Sequence, residues 1–272
     1  MKSVQSKFIE PDPAHYTCRL CGSSKPLCRS HIYPKFTFKR MKEADGTFMR
    51  FEGSRRGWLP RPLQDDCVEY LLCGSCEHRL HKWENHVARL LAGGLLDNLT
   101  PAPLKRHTFI NLPDYTSAKL YLLSLLWRCH AARSHAFRFV DLGPKHDARL
   151  REMLLNGDPG DPWEYGCFIS TVHLNLDDGK FDRPPIGFMP EAMRFEGEHG
   201  LRVVRMIIDG IVLHFVVGSP DRMKAWRGSP MFPQRDGRTV VGVDDGMNMP
   251  FFRDQLRYVF ERENPIWDRH SP

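Results

Sequence analysis

Two Cys-x-x-Cys pairs constrain the fold of this 272-residue chain more than any other feature. Cys18 and Cys21 form the first pair, Cys73 and Cys76 form the second, and 51 residues lie between the pairs. Two thiolates three positions apart can wrap one metal ion, and two such pairs complete a tetrahedral Zn²⁺ shell. A Cys₄ shell leaves no open position, so the spacing predicts a structural zinc that clamps two distant segments together.

Two other interpretations of these cysteines are buried thiols that pack as small hydrophobes and a redox pair of the Cys-x-x-Cys type. Residues 1–13 contain no apolar stretch, which predicts that no secretory signal is present, a cytoplasmic location and reduced thiols. No apolar run approaches the roughly 20 residues of a membrane span, so no membrane partner is expected. Cys28 and Cys67 could replace a member of one pair, but neither has a partner at ligand spacing. Cys129 and Cys167 are expected to be packing residues.

The positive charge is concentrated in the segment that carries the cysteine pairs. Residues 1–92 hold 16 Lys and Arg against 10 Asp and Glu, so the whole net charge of +6 lies there. A polyanion such as nucleic acid is the natural partner of a basic, cysteine-rich segment. The alternative is an ordinary solvated basic surface.

Breaks in the pattern divide the chain into two parts. Residues 1–95 end in an apolar helical pattern over Cys76–Leu91, and Gly93, Gly94, Pro101 and Pro103 follow. We therefore predict one domain over residues 1–95 and a second over residues 96–272.

The second part carries both helical and strand patterns. A central helix is expected over Ser117–Arg133 with Thr116 or Ser117 as its cap, and Trp127 and Arg128 are expected to be a half-buried aromatic beside a snorkelling arginine. The other predicted elements are a helix that opens at Pro144, a hairpin of Leu201–Ile208 and Ile211–Val217 around Asp209-Gly210, a strand over Gly237–Gly242, and a closing helix over Phe251–Arg262. The predicted fold class is α+β, with a central helix and an antiparallel hairpin sheet in the second domain.

A polar helix face follows the second cysteine pair. On a helix that begins at Cys76, the side chains of Glu77, His81 and Glu84 fall at i, i+4 and i+7 and share one face. Carboxylates with an imidazole suit a divalent ion, and a nearby histidine could activate water for attack on phosphorus. The alternative is a solvated helix face.

The order of motifs resembles a known family. A Cys-x-x-Cys pair, then His31-Ile32-x-Pro34, then a second pair with a polar residue directly after it is similar to the zinc-bound HNH endonucleases of the ββα-metal, or His-Me finger, group. Phage recombination endonuclease VII has a similar motif layout. The resemblance covers about residues 15–92 and implies a zinc-stapled ββα-metal domain, a catalytic Mg²⁺ or another divalent ion, and hydrolysis of phosphodiester bonds in DNA.

The resemblance also implies roles for single residues. His31 matches the general base at the end of the first strand, and Glu77 matches an Asn that contacts the catalytic metal in similar members. His86 lies nine positions after Glu77, where many HNH proteins place their last His, and His81 competes with it because it shares a face with Glu77.

At two positions the chain departs from the family pattern. Ser30 stands where many members carry an Asp, and Glu77 replaces the Asn. A site that still binds an ion then needs Glu77, His81 or Glu84 to supply the missing ligand.

A basic loop follows His31 and is expected to track backbone phosphates of double-stranded DNA. It contains Lys35, Lys39, Arg40 and Lys42. For residues 96–272 the expected roles are substrate recognition, sensing, homodimerisation or binding of a partner protein; at the family level, nucleases with sensor-like domains are common in phage defence. The alternative function is a non-catalytic zinc-dependent module that binds nucleic acid or protein.

Overall fold

The computed structural model describes residues 17–39, 48–54, 57–63, 67–96, 107–134, 137–175, 181–182, 187–194 and 202–245. The helices within these ranges are α1 (Gly74–Ala92), α2 (Tyr115–Ala131), α3 (Pro144–Asn156) and α4 (Pro220–Met223). The strands are β1 (Leu27–His31), β2 (Phe48–Ser54), β3 (Gly57–Leu63), β4 (Val68–Cys73), β5 (His107–Asn111), β6 (Cys167–Asn175), β7 (Phe181–Asp182), β8 (Gly187–Arg194), β9 (Arg202–Ile208), β10 (Ile211–Val217) and β11 (Arg238–Asp245). The expected mixed α+β class is confirmed.

A two-stranded sheet and one helix form the cysteine-rich part of the fold. Strands β1 and β4 are antiparallel, with pairs that run from Leu27 opposite Cys73 to His31 opposite Val68. Strand β4 leads directly into α1, so Cys73 is both the last strand residue and the helix N-cap. Two strands and a helix therefore pack together around the second cysteine pair.

The larger sheet has nine strands and connects the two halves of the chain. Its order is β3-β2-β8-β9-β10-β6-β11-β5, and β7 pairs with β6. The expected antiparallel sheet is in fact mixed, because β2 runs parallel to β8 and β11 runs parallel to β6. Because β2 pairs with β8, strands from both predicted domains share this sheet. The division into domains over residues 1–95 and 96–272 stays a prediction.

The predicted hairpin is confirmed. Strands β9 and β10 pair from Arg202 opposite Val217 to Ile208 opposite Ile211. The turn residues Asp209 and Gly210 have φ angles of 54° and 69°, as a type I′ turn requires.

Helix α2 lies at the centre of the molecule, and most of its residues are buried all round its axis. Its cap is Asp114, whose carboxylate accepts a bond from the Ser117 backbone N–H at 3.1 Å, so the expectation of Thr116 or Ser117 was wrong. The expectation of a half-buried Trp127 beside a snorkelling Arg128 was also wrong, because 0% of Trp127 and 1% of Arg128 are exposed.

The same helix buries a second cation, Lys119. Its ammonium donates to the carbonyl oxygens of Pro162, Glu164 and Tyr165 at 3.3, 2.8 and 3.0 Å. Burial lowers the pKa of Lys119 to about 8. The lysine therefore fastens the loop before β6 to the central helix.

One hydrophobic cluster includes buried residues from β4, α1, α2, α3 and the β9–β10 hairpin. Within the described ranges, no helix has both the length and the apolar character that a bilayer crossing needs. The predicted helix over Phe251–Arg262 lies outside the described residues.

Candidate metal centre and the polar face of helix α1

The four predicted zinc ligands meet at one point. The sulfur atoms of Cys18, Cys21, Cys73 and Cys76 all lie within 4.8 Å of one another. The Cys21 and Cys73 sulfurs are 3.8 Å apart. A tetrahedral ion with Zn–S bonds of about 2.3 Å sets its sulfurs about 3.8 Å apart. The cluster therefore has the composition and size of a structural zinc site.

Backbone hydrogen bonds shape the first pair into a tight turn. The Gly22 N–H donates to the Cys18 carbonyl at 2.8 Å, and the Cys18 N–H donates to the Ser23 carbonyl at 2.9 Å. Gly22 has a φ of 74°, which a residue with a side chain rarely adopts. The Cys73 N–H donates to the Cys18 sulfur at 3.3 Å and joins the two pairs.

The sulfurs differ in how easily they ionise. Burial raises the pKa of Cys73, but hydrogen bonds from the Ser75 hydroxyl and the Cys76 backbone outweigh it and lower the pKa to about 6. Burial and the nearby Cys18 sulfur raise the pKa of Cys76. Four thiolates this close repel one another, and a divalent cation is the group that offsets that repulsion.

His31 is the last residue of β1 and pairs with Val68, the first residue of β4. The preceding residue, Ser30, is buried, and its hydroxyl accepts a bond from the Leu72 N–H at 3.2 Å. The Ser30 hydroxyl also donates to the Cys28 carbonyl at 3.4 Å. This hydroxyl therefore braces β1 against β4.

Three of the predicted site residues are connected through a residue of α2. Nδ1 of His81 lies 3.6 Å from Oε2 of Glu84, as their shared helix face predicts. Arg128 donates through Nη2 to Oε1 of Glu84. The same guanidinium donates through Nη1 to the His31 carbonyl oxygen at 3.3 Å. Arg128 thus connects the end of β1 to the polar face of α1.

Glu77 lies in the first turn of α1, next to the cysteine cluster. Its Oε1 atom is buried and has no hydrogen-bond partner among the described residues. Burial raises the pKa of the Cys28 thiol, and the Glu77 charge adds to this, which places the carboxylate close to Cys28. A buried carboxylate oxygen without a donor suits a cation, so Glu77 fits a ligand role.

His86 lies away from Glu77. Nine helical positions make about two and a half turns, so the two side chains point about 180° apart and flank the buried stripe of α1 on opposite sides. The Nε2 atom of His86 is 2.8 Å from the Pro113 carbonyl oxygen, in the loop before α2. The structure therefore groups His81 with Glu84 and places His86 against the β5–α2 connection.

The basic loop is described only in part. Lys35 and Lys39 are exposed at the ends of a 3₁₀ helix over Lys35–Phe38, four and eight positions after His31. Arg40 and Lys42 lie outside the described residues.

Sequence reasoning missed the role of Arg128. One signal was present, because an arginine inside an almost wholly apolar helix needs a buried carboxylate or several buried acceptors. The sequence did not show which acceptor meets it.

No family model, curated protein or solved structure matches the chain. The chemistry of the side chains themselves must therefore carry any functional argument.

Proposed function

We propose that this protein is a metal-dependent HNH-like endonuclease that hydrolyses phosphodiester bonds in DNA. A structural Zn²⁺ would be held by the four cysteines, and a catalytic Mg²⁺ or similar ion would be held near Glu77. The observation that carries the proposal is the placement of His31 at the end of β1, tied through Arg128 to a polar face of α1. The order β1, β4, α1 around four cysteine sulfurs supports it.

A phosphodiester resists attack because its oxygens repel a nucleophile, so a nuclease must offset that charge and generate hydroxide locally. The His31 imidazole accepts the proton of the attacking water. The Glu77 carboxylate supplies the oxygen ligand that a hard divalent ion prefers, and such an ion would stabilise charge on the phosphate and the leaving oxygen. Lys35 and Lys39 are exposed in the segment that follows β1, and they would contact backbone phosphates without reading the base sequence.

A cleavage assay on supercoiled plasmid tests the proposal. Purified protein is incubated with the plasmid in Mg²⁺, in Mn²⁺ and in excess chelator. We expect cutting with metal, and a loss of at least about 100-fold in the His31→Ala variant, because a general base typically contributes about 10²- to 10⁴-fold.

The matched control is His78→Ala, since His78 is an exposed histidine on α1 and makes none of the contacts described above. Equal zinc content and equal circular dichroism of both variants exclude a folding defect. Cutting by His31→Ala at the wild-type rate would disprove the assigned base.

A second candidate is a non-catalytic zinc-dependent module that binds nucleic acid. The ion pair of Glu84 with Arg128 favours it, because this pair takes one carboxylate away from the metal-binding face. This candidate would be supported if the wild-type protein binds DNA with strong salt dependence but does not cut it in the presence of any metal tested.

A further inference from the structure

Arg128 brings a buried charge to the candidate site from a distant part of the chain. It lies 97 positions after His31 and 44 after Glu84, and only 1% of its surface is exposed. Its Nε atom is buried and has no hydrogen-bond partner among the described residues. A substrate cannot reach so deeply buried a group, so any effect of Arg128 on chemistry passes through its partners.

The shape of the guanidinium suits two partners at once. Its planar fork presents several N–H donors at fixed angles, whereas a lysine ammonium is a single point of charge. One arm meets the His31 carbonyl and the other meets Glu84. The fork therefore sets the spacing between the last residue of β1 and the polar face of α1.

The two carboxylates of that face differ in their hydrogen-bond and ion-pair partners. Glu84 has one oxygen in the ion pair with Arg128, and the other points toward His81. Glu77 has a buried Oε1 that no described residue meets with a hydrogen bond. An incoming cation would compete with Arg128 for Glu84, but meets no such competitor at Glu77.

We propose that Arg128 is a positioning residue of this site, and that it gives the two carboxylates different roles. Its guanidinium holds the His31 backbone in place and commits Glu84 to the ion pair, which leaves Glu77 as the metal-binding carboxylate. This inference rests on the proposed function. It makes α2, and with it residues 96–272, part of the catalytic arrangement.

The test compares four variants in the plasmid assay over a range of Mg²⁺ concentrations. Glu77→Gln should raise the Mg²⁺ concentration for half-maximal activity at least tenfold, whereas Glu84→Gln should leave it within twofold of wild type. Arg128→Lys keeps the charge but loses the fork, so the maximal rate should fall at least tenfold with little change in that Mg²⁺ concentration. Lys119→Met is the matched control, because it removes the other buried cation of α2 at a place that does not touch the site, and its maximal rate should stay unchanged.

A second measurement tests the hydrogen bond itself and does not depend on cleavage activity. The backbone ¹³C carbonyl shift of His31 reports its hydrogen bond and should move in Arg128→Lys but not in Lys119→Met. The inference is overturned if folded Arg128→Lys cleaves at the wild-type rate, if its carbonyl shift is unchanged, or if Glu84→Gln raises the Mg²⁺ requirement as much as Glu77→Gln.

Failure of the proposed function gives a different result, namely no metal-dependent cutting by wild type or full cutting by His31→Ala. In that event the positioning role in catalysis falls with it, and the carbonyl shift alone decides whether Arg128 holds β1.

Discussion

The cysteine cluster and the polar face of α1 lie side by side, yet they are built in different ways. The cluster is assembled from two short turns, and within each turn a cysteine sulfur has a hydrogen-bond partner two positions away, Ser23 for Cys21 and Ser75 for Cys73. The polar face depends on Arg128, which belongs to a helix far along the chain. Each half of the cluster is thus locally organised, whereas the polar face depends on a partner brought by tertiary packing.

This difference explains why the ligands of the cysteine cluster can be predicted from the sequence, whereas the partner of the polar face cannot. A ligand spacing of i and i+3 determines local geometry by itself, because both ligands ride on one turn. A helix face shows only which side chains point the same way, and the partner that meets them is chosen by the fold. The following predictions test this contrast, beginning with the largest expected effect.

Removal of the metal, or Cys73→Ser, should abolish the native fold near the β4–α1 junction. Structural zinc contributes about 10–16 kcal/mol of apparent binding free energy in small zinc-dependent peptides, which exceeds the stability of many domains. We expect one zinc per chain by elemental analysis, and a large drop in melting temperature with a strong chelator.

The control for this experiment is Cys28→Ser, since Cys28 lies near the cluster but is not one of its four sulfurs. It should retain the zinc and most of the melting temperature. A chelator that removes zinc without lowering the melting temperature would show that the clamp is not structural.

Arg128→Met should destabilise the protein by about 3–5 kcal/mol, because it leaves the Glu84 carboxylate without its guanidinium partner in a largely buried place. The double variant Arg128→Met with Glu84→Gln should recover roughly half of that loss. Denaturation in urea measures the free energy of unfolding of both single variants and of the double variant. If the two single losses simply add in the double variant, the ion pair contributes nothing to stability.

Acid should destabilise the protein through His214, in a third region away from both sites. Burial, helped by the Arg205 charge, lowers the pKa of His214 to about 4. The unfolded chain then binds more protons than the native state between about pH 6.5 and 4, so stability falls as the pH falls through this window. The resulting decrease in the free energy of unfolding is about 3 kcal/mol by pH 4.

In His214→Gln this part of the pH dependence should disappear, while acid loss of zinc from the cysteines remains. Urea melts at pH 7, 5.5 and 4.5 separate the two effects. Identical slopes for the variant and the wild type would contradict the assignment to His214.

Ser75→Ala should have the smallest effect, about 1 kcal/mol of stability, because it removes one hydrogen bond to the Cys73 sulfur. Zinc affinity should fall about 10- to 100-fold, as is usual when a ligand loses its outer hydrogen-bond partner. Competition with a zinc indicator measures this. An affinity equal to wild type would mean that backbone N–H groups alone hold the ligands in place.

Several elements could be predicted from the sequence because their signals are local. The Asp209-Gly210 dipeptide predicted the hairpin, and Pro144 predicted the start of α3, since each residue type restricts its own backbone. The joining of β2 to β8 could not be predicted, because pairing of strands so far apart depends on the whole topology. The same reason hid Arg128, which looked like a surface residue because its partners lie 44 and 97 positions away.

The pairing of β2 with β8 has a consequence for how the chain is made. Roughly 130 residues separate the end of β3 from the end of β8, so the ribosome needs on the order of ten seconds to supply the neighbour that β2 requires. During that interval the hairpin of β2 and β3 has an open edge. Strand β2 therefore has no partner other than β3 until the late strands emerge, whereas all four cysteines of the cluster are already made by residue 76.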